Sequence, residues 1–223
     1  VSGHIKEIWR SGVVRTFFLV LAAGIILTTI NIHGDCCKSW AEALRYASFQ
    51  VISLGTTTGF ASTDSAPWPP FSQLVLLFFV LQGACAGSTS GAIKVDRIVI
   101  FLKAIVKRIK MIQHPSAVIS VKLNRVPVGE DLLEVTVLYL SLYLSVVFLS
   151  TLLLTAMGVD TLTAFSGSAA TMGGVGPGFG SVGSMGNFGR IPEVGKWILT
   201  GNMLLGRLEI FSIIIFLMPR SWK

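Results

Sequence analysis

The sequence is poor in charge, and poorest in acids. Lys, Arg, Asp and Glu make up 13% of the 223 residues, with only 11 acids among them, whereas a soluble domain carries about 25%. The shortage is uneven, because uncharged runs far longer than a core strand alternate with short basic stretches. A hydrophobic content of 52% excludes disorder, which needs a chain low in apolar residues. Cysteine is scarce too. Cys36, Cys37 and Cys85 form no disulfide framework, since adjacent cysteines rarely pair, and no ligand-spaced His or Cys accompanies them. They read as small apolar filler. His4, His33 and His114 are scattered over flanks and loops, a pattern that suits neither a metal site nor a catalytic base. With mean hydropathy at +0.73, the remaining class is an integral membrane protein, and its four long apolar stretches, read below as crossing helices, make the expected fold all-α and polytopic.

The net charge of +7 does not indicate nucleic acid, because the placement of the basic residues argues otherwise. Of the 18 Lys and Arg residues, Lys94, Arg97, Lys103, Lys107, Arg108, Lys110, Lys122 and Arg125 lie in one connector. Lys6, Arg10 and Arg15 precede the first apolar run, and Arg220 and Lys223 close the chain. Basic loops stay cytoplasmic, so the N-terminus, the 94–125 connector and the C-terminus are expected inside. Segments 33–70 and 158–193 are then outside. The chain opens on Val1 without a signal-peptide pattern and reads as a segment of a longer polypeptide.

Crossing helices are expected at 14–32, 71–111 (broken at 83–91), 132–157 and 194–218, against the ~20 residues that span a bilayer. Trp9, Trp40, Trp68, Trp197 and Trp222 all sit beside an expected membrane boundary, as an aromatic belt requires. The outer segments are not plain loops. Residues 39–54 and 161–172 each read as a half-helix, too short to span and too apolar for a solvated loop. Each runs into a Gly/Thr-rich stretch, at 55–60 and 173–180. The order crossing helix, half-helix, Gly-rich loop, crossing helix therefore occurs twice. The expected units are 1–112 and 132–223, joined by a cytoplasmic connector at 113–131.

Non-helical backbone at membrane depth is tolerated only where protein buries it or where it lines a watery cavity. Glycine permits positive φ, a ring of carbonyls can replace the hydration shell of potassium, and a half-helix presents its negative C-terminal end to a cation. The threonine hydroxyls of 56–58 can add oxygen ligands or cap the half-helix. A second architecture stays open at this point: a secondary transporter of a small anionic solute, with half-helix N-termini at its site.

Four stretches resemble the Trk/Ktr/HKT superfamily of potassium transporters, most closely its bacterial Trk-type membrane subunit. Thr56, Thr57, Thr58, Gly59 and Phe60 are similar to the third filter loop, and Gly174, Val175, Gly176 and Pro177, continuing to Gly180, to the fourth. Gly83, Ala84, Cys85, Ala86, Gly87, Ser88, Thr89, Ser90 and Gly91 are similar to the small-residue break in the helix between them, and 203–211 to the last helix. The resemblance implies four repeats around one pore, of which this chain holds the third and fourth. It implies potassium held by carbonyls at Thr57, Thr58, Gly174 and Val175, with no other cofactor. It also implies an intramembrane gate at 83–91, a homodimer in the cytoplasmic membrane, and a cytosolic nucleotide-binding regulatory subunit. One departure is Gly174, where many relatives carry Asn.

Arg207 stands in the last apolar run. A mid-span arginine costs at least ~2.5 kcal/mol on insertion scales, so it faces protein or water, and the resemblance places it in the pore as part of the gate. Pairing with Glu209 is disfavoured, because residues two apart on a helix point to different faces. Gly178 to Gly183 match G-x-G-x-x-G, but no strand–turn–helix unit surrounds them, so a dinucleotide site is excluded. Glu130, Asp131 and Glu134 open the third crossing helix as caps. The basic face of 94–110 is either a solvated, headgroup-binding surface or a dock for a cytosolic subunit.

Overall fold

The computed structural model describes residues 11–85, 87–114, 120–123 and 126–217. Ala86, the flanking Trp9 and Trp222, His4, and the basic residues Lys6, Arg10, Arg125, Arg220 and Lys223 lie outside the described residues, as does the end of the last apolar run at Met218.

Among the described residues the first half holds four helices: α1 (Gly12–Ile32), α2 (Trp40–Gly55), α3 (Pro70–Leu81) and α4 (Val95–Gln113). A two-stranded hairpin, β1 (Lys122–Leu123) and β2 (Val126–Pro127), separates it from the second half. There follow α5 (Glu130–Ala156), α6 (Thr161–Gly173), α7 (Glu193–Arg207) and α8 (Ile210–Leu217). Local chemistry sets several ends. Pro70 opens α3 at a position where a missing N–H costs nothing. Asp160 caps α6 by accepting from the Thr163 amide at 3.2 Å.

Among the described residues, two helices, α1 and α5, are long and apolar enough to cross a membrane. Helix α3, at 12 residues, reaches only about 18 Å, short of the ~30 Å hydrocarbon core. The last apolar run is not one helix, as the sequence suggested. It breaks after Arg207, and Glu209 takes a left-handed φ of 59° between α7 and α8. The break has a local partner, because the Glu209 carboxylate accepts from Lys94 Nζ at 3.1 Å and from Arg97 Nη2 at 3.3 Å.

One apolar cluster runs through both halves, from Phe17 and Leu21 through Leu76 and Phe79 to Tyr143, Met172 and Val175. Helix α6 packs against α3, α5 and α7. Its small residues Ala164, Ser166, Gly167, Ser168, Ala169 and Ala170 are all buried, which lets three helices close around it. The outward faces of α1 and α5 remain apolar, with Leu19 68%, Ile30 58% and Phe148 59% exposed.

The basic segment after residue 94 is solvated only in part: Lys103, Arg108 and Lys110 are exposed. Lys94 and Arg97 are drawn in by Glu209, and Lys107 is buried against Glu130. Arg97 also lies 3.7 Å from the centroid of the Tyr139 ring, a cation–π contact. Cys36 is exposed and not apolar filler, whereas Cys37 is buried.

Candidate functional site

Each Gly-rich loop follows the C-terminal end of a short helix held inside the fold. After α2, the amides of Thr57, Thr58 and Gly59 turn back onto the helix, donating to Leu54 O (3.0 Å) and to Ser53 O (2.8 and 3.4 Å). The described peptides are all trans, and in a trans peptide the C=O points opposite to the following N–H. The carbonyls of Thr56, Thr57 and Thr58 therefore face away from α2. After α6, Val175 N donates to Ala170 O at 2.9 Å, which turns the Gly174 carbonyl outward in the same way.

The two loops share a backbone pattern. Thr57 (φ 55°) and Gly59 (φ 77°) are left-handed in the first, and Gly174 (φ 66°) and Gly176 (φ 108°) in the second. The loops also touch. A Cβ on Gly59 would collide with the Val175 carbonyl oxygen and stand 3.3 Å from Pro177 Cδ. On their other side Thr58, Gly174 and Gly176 are exposed, and a cavity lined by Gly174, Val175, Gly176 and Lys196 opens beside the second loop.

Hydroxyls from the half-helices hold both loop exits. Ser53 Oγ donates to Phe60 O at 2.6 Å, and Phe179 N donates to Ser166 Oγ at 2.8 Å. Thr56 Oγ1 caps α2 by donating to Ile52 O at 2.7 Å and lies 2.8 Å from Thr58 Oγ1. Phe60 is 72% exposed, while Phe179 is buried. The Asp64 carboxylate beyond the first loop accepts from Ala66 N at 2.9 Å. Both half-helices end at the loops and do not begin there, so each presents about half a negative charge to them.

The small-residue stretch is a loop closed at its neck. Gly83 N donates to Ile93 O at 2.8 Å, and Ile93 N to Leu81 O at 3.0 Å. Gly87 is left-handed (φ 85°), Ala92 N donates to Ser90 Oγ at 3.2 Å, and Ser88 N to Cys85 O at 3.2 Å. The loop reaches the base of the second Gly-rich loop, where Gly91 N donates to Gly173 O at 3.2 Å. A Cβ on Gly91 would stand 2.7 Å from Met172 O and 2.9 Å from the Gly206 carbonyl carbon. Arg207 Nη1 donates to Thr89 O at 2.9 Å, so the arginine is tied to this loop. Arg207 makes no ion pair with Glu209 among the described residues.

Sequence reasoning missed Gly206, Glu209, Ser53 and Ser166. The serine ahead of each Gly-rich loop was a usable signal. The left-handed turn at Glu209 had none, because it depends on Lys94 and Arg97 from a distant helix.

The family model TrkH, described as a cation transport protein, matches residues 8–223. The chain belongs to the TrkH family. It is 38% identical to the Trk system potassium uptake protein TrkH of Salmonella typhimurium, over all of this chain and 46% of that protein. It is 32% identical to the Trk system potassium uptake protein TrkG of Escherichia coli, over 98% of this chain and 45% of that one. The crystal structure of the potassium transporter TrkH from Vibrio parahaemolyticus superposes with a TM-score of 0.88 at 34% identity, covering 99% of this chain and 47% of that one. This TrkH-family chain thus spans about half the length of the curated relatives it matches. Its Gly174 is a left-handed helix cap with no atom within 4 Å of a Cβ built there. Such a position is open to Gly and sterically tolerates Asn.

Proposed function

We propose that this chain is the third and fourth pore repeats of a potassium uptake protein of the cytoplasmic membrane, with repeats at 1–112 and 132–223 joined by the 113–131 connector. Potassium sheds water at backbone carbonyls of Thr57, Thr58, Gly174 and Val175, in a ring completed by two further loops outside this chain. The ion then passes the 83–91 loop and Arg207, driven inward by the membrane potential at ~2.3 kcal/mol per 100 mV. A homodimer and a cytosolic nucleotide-binding subunit belong to the same reading.

The observation that carries this reading is the meeting of two loops with one left-handed pattern, beyond the C-terminal ends of two half-helices. C-terminal ends favour a cation, which weighs against the anionic-solute transporter. The exposed side of Gly174 and Gly176, with the cavity beside it, leaves room for the remaining loops. The test is uptake by the complete polypeptide in cells that lack other potassium uptake. Labelled rubidium entry, with no entry of labelled organic anions, supports the reading. Anion entry without rubidium overturns it.

A further inference from the structure

The cytoplasmic half of α4 carries two adjoining stripes. Leu102, Val106 and Ile109 are 55%, 50% and 52% exposed and recur at helical spacing, which forms one apolar face. Lys103, Lys107 and Lys110 follow the same spacing one step round the helix. The basic stripe borders a groove of about 370 Å³ between α4 and the segment leading into β1, where Lys122 adds a fourth ammonium. No carboxylate lines this groove among the described residues.

The four lysines are not equivalent. Lys107 is neutralised by Glu130. Lys103 donates to the Lys122 carbonyl oxygen at 2.7 Å, a neutral partner that leaves its charge in place. Lys110 and Lys122 have no carboxylate partner among the described residues. The Lys107–Glu130 pair also fixes the depth of the groove. Glu130 is the first residue of the spanning helix α5, so the groove sits where the hydrocarbon core ends.

We propose that this groove binds the headgroup of an anionic phospholipid, with its phosphate among Lys103, Lys110 and Lys122 and its acyl chains along Leu102, Val106 and Ile109. Charge complementarity selects an anion, and the continuous apolar face selects a lipid over a free phosphate. The site rests on the membrane character of the family and is independent of how the loops handle ions.

The test uses the complete polypeptide in detergent, titrated with dioctanoyl-phosphatidylglycerol or dioctanoyl-phosphatidylcholine and read by native mass spectrometry. Phosphatidylglycerol is expected to bind the more tightly. Lys110→Gln with Lys122→Gln is expected to weaken it about thirtyfold, at ~1 kcal/mol per basic residue near a lipid surface. Lys110→Arg with Lys122→Arg is expected to keep it, and so is Arg108→Gln, which faces the neighbouring groove. Inorganic phosphate at equal concentration is expected not to displace the lipid. Equal binding of both lipids, or full binding by the double Gln variant, overturns the proposal. Displacement by inorganic phosphate makes the groove a soluble-anion site. Loss of a co-purifying acidic protein with lipid binding unchanged makes it a protein dock. Should the double Gln variant not fold, wild-type affinity decides: phosphatidylglycerol binding must fall as salt rises from about 50 to about 500 mM, and a flat response overturns the proposal.

Discussion

Gly59→Ser in the complete protein should degrade the preference for potassium over sodium, and the structure supplies the size of the effect. Gly59 sits at φ 77°, where a residue with a Cβ loses roughly 1–2 kcal/mol. The new Cβ also meets the Val175 carbonyl oxygen, so the two loops must part by roughly 1 Å to restore van der Waals distance. If that strain is relieved whenever the loops release the ion, potassium loses about five- to thirtyfold in relative affinity, at 1.4 kcal/mol per factor of ten. Sodium, which already fits the oxygens poorly, loses less. The assay is labelled rubidium flux into proteoliposomes against rising sodium. Gly174→Asn is the control, since Asn tolerates that site's left-handed φ and the site has open space, and it should leave the preference unchanged. Unchanged selectivity in Gly59→Ser at normal expression, or an equal loss in Gly174→Asn, would refute the reasoning.

Arg207→Ala removes both a positive charge from the proposed ion route and the hydrogen bond to Thr89 O. Flux should rise roughly tenfold, since a hydrogen bond from a charged group contributes at least about 1.5 kcal/mol, and a fall at normal expression would make the residue purely structural. Deleting two residues from 83–91 shortens a loop pinned at its neck, and should raise basal conductance in single-channel recordings. Gly206→Ala places a methyl group against Met172 O, so the melting temperature should drop and regulation should slacken, as measured by differential scanning fluorimetry and flux. Cys36 should react with a membrane-impermeant maleimide applied outside, slowly at neutral pH. Protein around it, and then Asp35, push its thiol above the usual range, so the reactive thiolate grows only as pH rises. Labelling as fast at pH 7 as at pH 9 would contradict that.

The elements that were legible in the sequence are those specified by local composition. Half-helices expected at 39–54 and 161–172 stand beside Trp40–Gly55 and Thr161–Gly173, because largely apolar runs, with only Glu42 and Arg45 charged, each lead into a Gly-rich stretch. The break at 83–91 was visible as a run of small residues. Less accessible were contacts between distant segments. The last apolar run scored as one helix because nothing local distinguishes Glu209 from a snorkelling acid, and only Lys94 and Arg97 explain its turn. The Lys107–Glu130 pair likewise joins residues of two helices, so the basic face of α4 looked more solvated than it is.

The same long-range contacts bear on how the second Gly-rich loop and the proposed gate at 83–91 communicate. Gly91, Gly173 and Gly206 meet where α6 ends, one residue before Gly174 opens the second Gly-rich loop. A close approach of three backbones leaves no side chain to absorb a shift. A movement of the 83–91 loop therefore acts on the Gly173–Gly174 peptide, one step before the peptide that carries the Gly174 carbonyl, and a movement of α7 acts on both. Arg207 and Glu209, at and just beyond the end of α7, grip the later part of the 83–91 segment at Thr89 and the start of α4 at Lys94 and Arg97. Opening on the proposed reading thus breaks two polar attachments at one helix break. The left-handed Glu209 is suited to that step, since a strained turn held only by its partners relaxes once they leave.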